Sequence, residues 1–376
     1  MDQQLPTFEL PTFEPYVATP FDHSMLPTHL AAFFTFSLDE PSEAIPILEA
    51  GVARLVSYLP FLTGNVALSS RVPYKKNVVE IQPPTKQFLS QHPIFRVKYH
   101  EQPIFSRHSR HIVARDIFLN EDIIPIPFAL SEDYPSPVCR FQVNIMPDGI
   151  ILCCNFHHSA IDGIGAASII EALAVCCRSP DAGPEMLPTN PLKEQQISEA
   201  RSKLRPKLPL SYIGNAVILH EVYTPLAAIA SSISGSNNNS PVTPRLDHDD
   251  IKLLAELASL VHAALGSVTE ETVREFISAS AANDDWTANE SPGDITISSL
   301  RVFQTYQLDF GPVLGPLRDF DLPERRVPGK AWILPVRYKD WSSPWEVRLT
   351  LEPGIMENVE KDRLMMWLGP GEVSKV

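Results

Sequence analysis

Two adjacent histidines, His157 and His158, close the apolar run "IILCCNF", and Asp162 and Gly163 follow directly in "HHSAIDGIG". An imidazole suits proton transfer at neutral pH, because its unperturbed pKa lies at about 6.5. At the end of a buried strand, just before a helix, His158 can face a cleft, while His157 points to the other side of the strand. Gly163 and Gly165 would keep the turn small enough for a substrate to approach the backbone. Asp162 is near enough in sequence to orient the loop, although its spacing does not establish contact with His158. A lone histidine is usually a satisfied core or surface group, but this combination arises by chance in roughly one chain of this length in a thousand. Neighbouring histidines on a strand diverge and no third ligand is signalled nearby, so no metal site is expected.

The surrounding elements must hold that turn in place. "HLAAFFTFSL" reads as a strand, and "SEAIPILEAGVARLVSYLP" sets Ile45, Leu48, Val52, Leu55 and Leu59 at helical spacing. "VCRFQVNIMPDGIILCCNF" predicts a hairpin with Pro147, Asp148 and Gly149 at its tip, its second strand apolar at both parities and so buried on both faces. "IGAASIIEALAVCC" predicts a helix with Ile164, Ala167, Ile170, Leu173, Ala174 and Cys177 along one stripe. Further on, Ile251, Leu254, Ala258, Val261 and Leu265 mark one face of a helix with Asp247 as N-cap and Gly266 as its stop, and Ser267 with Glu270 reads as the next helix's capping box. "SLRVFQTYQLDFG", "KAWILPVRYK" and "WEVRLTLEP" are strand-like. Residues 179–198 are polar and proline-rich, which suggests a boundary, and "SSISGSNNNSPVTP" is a low-complexity surface insert.

A chain of 376 residues favours two lobes, and 44% hydrophobic with 20% charged residues is the composition of an ordinary globular protein. The formal charge of −14 argues against nucleic acid and anionic membrane as partners. The acidic, proline-interrupted N-terminus lacks the pattern of a secretory signal, and no stretch reaches the apolar length of a spanning helix. Five cysteines without metal-ligand spacing read as buried reduced thiols, from which a cytoplasmic location is expected.

The chain resembles the acyl-CoA-dependent acyltransferases called BAHD, in particular their fungal trichothecene 3-O-acetyltransferase-like branch. "HHSAIDG" is similar to that family's HxxxD box, "LDFGPVLG" to its DFGWG box, and "ARSKLRPKLPLSYIGNA" to the segment between them; "ATPFDHSMLP" and "YLPFLTGNV" also look like family positions. The resemblance implies an α/β, two-lobe chloramphenicol-acetyltransferase-like fold of mixed sheets with flanking helices. On this reading residues 1–185 are an N-terminal lobe with the HxxxD motif, 186–200 a linker, and 201–376 a shortened C-terminal lobe with the DFG motif. It implies that His158 is the general base and that Asp162 is structural, paired with Arg201. Gly163, Asp309 and Gly311 support the site, and Pro312 stands where plant members carry tryptophan. Acyl-CoA, acetyl-CoA above all, is the implied co-substrate, with no bound cofactor or metal. A small-molecule acceptor would be the other partner of a monomeric enzyme. Arg325, Arg326 and Lys330 could meet the CoA phosphates, although a solvated loop is the commoner role of such charges.

The resemblance departs from the family in one place. About 20 polar residues by this boundary reading stand where family members carry a block of strands and helices. Two other readings therefore stay open. One is a non-catalytic remnant that at most binds ligand. The other is a condensation-like domain of a peptide synthetase, a class that shares the HHxxxDG box and two-lobe fold but does not normally carry a DFG box near its end.

Overall fold

The computed structural model describes residues 12–106, 109–113, 120–126, 135–181, 183, 246–287, 295–323, 328–338, 344–359, 362, 365 and 367. The first half contains strands β1 (Tyr16–Val17), β2 (His29–Ser37), β3 (Asn65–Leu68), β4 (Val79–Gln82), β5 (Phe95–Tyr99), β6 (Phe105–Ser106), β7 (Ser109–Val113), β8 (Ser136–Pro137), β9 (Cys139–Met146) and β10 (Gly149–His157). Its helices are α1 (Ala44–Tyr58), α2 (Lys86–Gln91) and α3 (Gly163–Arg178). The second half adds α4 (His248–Gly266), α5 (Glu270–Ala282), β11 (Thr296–Ser299), β12 (Asp319–Asp321), β13 (Lys330–Ile333), β14 (Val347–Thr350) and α6 (Pro353–Val359).

The main sheet has the order β12-β2-β10-β9-β5, antiparallel except for the β5–β9 pair. Alternation splits β2 and β10 between two cores, for β10 as its apolar residues of both parities predict. Phe34, Phe36, Ile150, Leu152, Cys154 and Phe156 face α1 and α3, while Ala31, Phe33, Ile151 and Cys153 meet Ile104 and Ile123 on the other face. Every residue of β9 and β10 is buried. At the hairpin tip Gly149 is obligatory, because an added Cβ would lie 2.0 Å from the Phe36 carbonyl oxygen. Asp148 beside it accepts from the backbone N–H groups of Ile104 and Phe105 at 2.7 and 3.1 Å.

Helices α1 and α3 pack on the same face of this sheet. Leu48, Val52 and Leu55 are buried as the helical spacing predicts, and Arg54 Nε donates to the Cys176 carbonyl at 2.9 Å. On α3 the inward residues are Ile169, Ile170, Leu173, Ala174, Cys176 and Cys177. The predicted stripe is corrected at Ile164, which is exposed because the first turn of α3 projects past the core. All five cysteines are unpaired and buried, in agreement with the reading of reduced thiols.

Three further expectations are corrected. The apolar face of α4 is exposed, with Ile251 at 55% and Leu265 at 67%, and the helix instead buries Leu253 and Asp250. Helical spacing marks a face but supplies no neighbour to cover it. The second capping box is formed by Thr269 and Thr272, while Ser267 closes α4. Residues 299–311 are not a strand: β11 ends at Ser299, a 3₁₀ turn covers Thr305–Gln307, and Phe310 reaches the core from a loop rather than by strand alternation. By contrast Lys330–Ile333 and Val347–Thr350 are strands, paired with each other, and Asp247 caps α4 through a capping box with Asp250.

The C-terminal half contributes directly to the first core. β12 pairs antiparallel with β2, and Phe310, Leu314, Leu317 and Phe320 join the cluster around α1 and α3. Arg348 pairs with buried Asp321, and Arg337 bridges Asp319 at 2.7 Å and Glu346, which ties the β11-β13-β14 sheet to the edge of the main one. The linker at 186–200, the low-complexity insert, Arg201, Arg325 and Arg326 lie outside the described residues.

Candidate active site

β10 runs buried to its last residue, His157, and the chain then folds back on itself. The His157 carbonyl accepts from the N–H groups of Ala160 and Ile161 at 2.9 and 3.1 Å, and its ring Nδ1 accepts from the Ser159 N–H at 3.2 Å. The neutral ring therefore carries its proton on Nε2. Burial, and after it the neighbouring imidazoles of His29 and His158, holds the pKa of His157 well below the usual histidine range. Ala160 and Ile161 are buried beneath the turn. This leaves His158 half-buried at the apex, with its backbone N–H donating to the Thr28 carbonyl at 2.8 Å. His157 is fully buried and His158 only half-buried, the difference in surroundings that strand alternation predicts.

Asp162 ends the turn in extended conformation and caps α3, its Oδ1 accepting from the Gly165 N–H at 2.7 Å. Its carboxylate thus answers the positive end of the helix and fixes where the helix begins relative to His158. The pairing of Asp162 with Arg201 falls outside the described residues. Gly163 is the first residue of α3, and among the described residues a Cβ placed there would meet Phe303 of the C-terminal half at 3.9 Å.

The second motif stands at the other end of the same helix. Asp309 Oδ2 lies 3.3 Å from Arg178 Nη1, and Asp309 Oδ1 accepts from the Gly311 N–H at 2.9 Å. Gly311 has φ +98° and lies so close to α3 that an added Cβ would sit 3.4 Å from Arg178 Cα. Phe310 packs edge-on against Phe36, with ring centroids 5.3 Å apart. A helix of 16 residues is about 24 Å long, so Asp309 is a full helix away from the histidine turn. The geometry gives Asp309 and Gly311 a part in holding the loop to α3 rather than a part near His158.

The sequence reading named neither Thr28, His29, Arg178 nor Phe303, all of which reach these motifs through pairings of distant segments. Cysteine chemistry is unfavourable here, since burial raises the thiol pKa values, that of Cys177 to about 12. Among the described residues no group of three or more His, Cys, Asp or Glu side chains is placed to hold a metal ion, and no single helix is long and apolar enough to cross a membrane. Lys330, the one described member of the basic group considered for CoA, is half-buried in β13.

Residues 26–177, from just before β2 to the penultimate residue of α3, match the trichothecene 3-O-acetyltransferase-like N-terminal domain. This segment is similar to such a domain. The acetyltransferase-like domain thus contains the whole histidine turn and the helix that follows it. The chain is 27% identical to the communesin N16 acyltransferase cnsK of Penicillium expansum over 465 aligned positions, covering 95% of this chain and 98% of that protein. Its fold is that of TRI101 of F. graminearum, solved with coenzyme A and deoxynivalenol, at a TM-score of 0.62, 16% identity, and coverage of 94% and 98%. Vinorine synthase has the same fold at a TM-score of 0.53, 13% identity, and coverage of 96% and 94%. The alignment with cnsK is longer than the 376 residues of this chain, so the relative contains stretches without a counterpart here.

Proposed function

We propose that this chain is an acyl-CoA-dependent acyltransferase that moves an acyl group, acetyl in the simplest case, to a hydroxyl or amine of a small secondary metabolite. The observation that carries this is the placement of His158: a half-buried imidazole at the apex of a turn whose every neighbour is buried or hydrogen-bonded. The reading is further supported by relatives named as an N16 acyltransferase and as O-acetyltransferases, and by coenzyme A in the TRI101 structure.

His158 takes the proton from the acceptor as its oxygen or nitrogen attacks the thioester carbonyl. The tetrahedral intermediate collapses with cleavage of the C–S bond, and the imidazolium returns the proton to the departing thiolate. Asp162 acts through the start of α3, and Asp309 and Gly311 act through its end. We further read the enzyme as a cytoplasmic monomer; the five unpaired cysteines suit a reducing compartment. The test is acetyl transfer by the purified chain and its His158→Ala variant, which should lose about 10²- to 10⁴-fold in rate while remaining folded. Retention of the wild-type rate would remove His158 from the chemistry.

The alternative of a ligand-binding remnant rests on the missing aligned stretches. Binding of coenzyme A without any acyl transfer across a panel of hydroxylated and amine acceptors would favour it.

A further inference from the structure

We infer that His29 is a positioning residue that sets the height of the His158 turn. This rests on the reading of His158 as the base, and the starting observation is a clamp made by three pairs of consecutive residues. His29 and His157 are register partners on β2 and β10, both almost fully buried, with ring centroids 4.9 Å apart and planes at 81°. Thr28, the residue before His29, accepts from the N–H of His158, the residue after His157, at 2.8 Å. On the third side, Pro137 and Val138 receive the two histidines. His29 Nε2 lies 2.9 Å from the Pro137 carbonyl oxygen, and the His157 N–H donates to the Val138 carbonyl at 2.9 Å.

A carbonyl only accepts, so His29 carries its proton on Nε2 and joins the start of β2 to β8. The His157 ring, edge-on against it, holds the Ser159 N–H through Nδ1. His158 sits between these supports. Its backbone is placed by Thr28 on one side and by the His157 ring on the other, and His29 braces both. Removing the His29 ring takes away a buried donor to Pro137 and the wall behind His157, and releases the Thr28 carbonyl to move. A base misplaced by about 1 Å loses rate without losing its chemical nature.

The test compares His29→Leu, which keeps bulk but no donor, with His29→Gln, whose amide can donate to Pro137 as Nε2 does. Amide hydrogen exchange should rise at His158 and Ser159 in His29→Leu, by about 2- to 10-fold for a lost hydrogen bond, while amides of Ile169–Leu173 in α3 stay as in the wild type. Thioester cleavage of acetyl-CoA should show a lowered kcat with an unchanged KM for acetyl-CoA, and His29→Gln should recover most of both losses. Unchanged exchange at His158 in His29→Leu, or an equal rise throughout the sheet and α3, would overturn the inference. If the exchange pattern appears but His158→Ala cleaves acetyl-CoA at the wild-type rate, the role of His158 as base is what fails, and with it the kinetic part of the inference, while the clamp stands.

Discussion

Arg178 and Asp309 join the end of α3 to the DFG loop, with 3.3 Å between Nη1 and Oδ2. Both side chains are more than a third exposed, so the charge attraction contributes little, on the order of 0–1 kcal/mol. The stronger constraint is the Asp309 Oδ1 bond to the Gly311 N–H, which asparagine can also accept. Asp309→Asn should therefore leave melting temperature and acyl transfer near wild type, whereas Asp309→Ala should lower stability by about 1 kcal/mol. A large loss of rate in a stable Asp309→Asn protein would place the carboxylate in the chemistry after all.

Gly51 of α1 faces Cys177 of α3, and an added Cβ would come within 2.3 Å of Sγ. Overpacking of this kind costs about 1–3 kcal/mol, partly offset by the better helix propensity of alanine. Gly51→Ala should unfold at lower urea, and adding Cys177→Ala should recover part of the loss by removing the clashing sulfur. Additive destabilisation in the double variant would show that the two positions do not share the strain.

His157 predicts a loss of stability in acid. Its folded-state pKa lies well below 6.5, lowered first by burial, so below pH 6.5 the unfolded chain binds a proton that the folded chain does not. Stability is then unaffected above about pH 7 and falls as pH drops, by up to about 1.4 kcal/mol per pH unit for this group. His23 and His92 are also lowered by burial and add in the same direction. Urea midpoints at pH 7 and pH 5 should differ less in His157→Asn, whose Oδ1 can replace Nδ1 as the acceptor. Parallel pH profiles for wild type and variant would contradict the assignment.

Gly163 offers a separation of fold from function. The nearest described atom to a Cβ there is Phe303 at 3.9 Å, an ordinary contact, and alanine is a better helix former than glycine. Gly163→Ala should keep or slightly raise the melting temperature. A fall in kcat/KM in this stable protein would mean that substrate passes within a methyl's reach of the α3 start, and an unchanged kcat/KM would remove Gly163 from the site's support.

The histidine turn was legible from residue types, because a buried strand, a turn and an amphipathic helix are all local patterns. Its supports were not. The polar His29 at the head of "HLAAFFTFS" is unremarkable until register places it against His157, and Phe303 and Arg178 meet the motifs only through the tertiary fold. The exposed face of α4 failed for the converse reason, since a stripe of apolar residues predicts burial without naming a partner. Asp309 and Gly311 were recognised through resemblance, but only the structure shows that they hold the far end of the same helix.

The pairing of β12 with β2 also has a consequence for how the chain is made. Phe33, Phe34 and Thr35 wait for Asp319–Asp321, which are made more than 280 residues later. At about 5–20 residues per second that delay is tens of seconds, during which β2 presents an open hydrogen-bonding edge beside two buried-type aromatic residues. The acetyltransferase-like segment 26–177 ends well short of its own closing strand. Expressed alone, it should associate through that edge, and a peptide spanning residues 308–322 supplied in trans should suppress the aggregation.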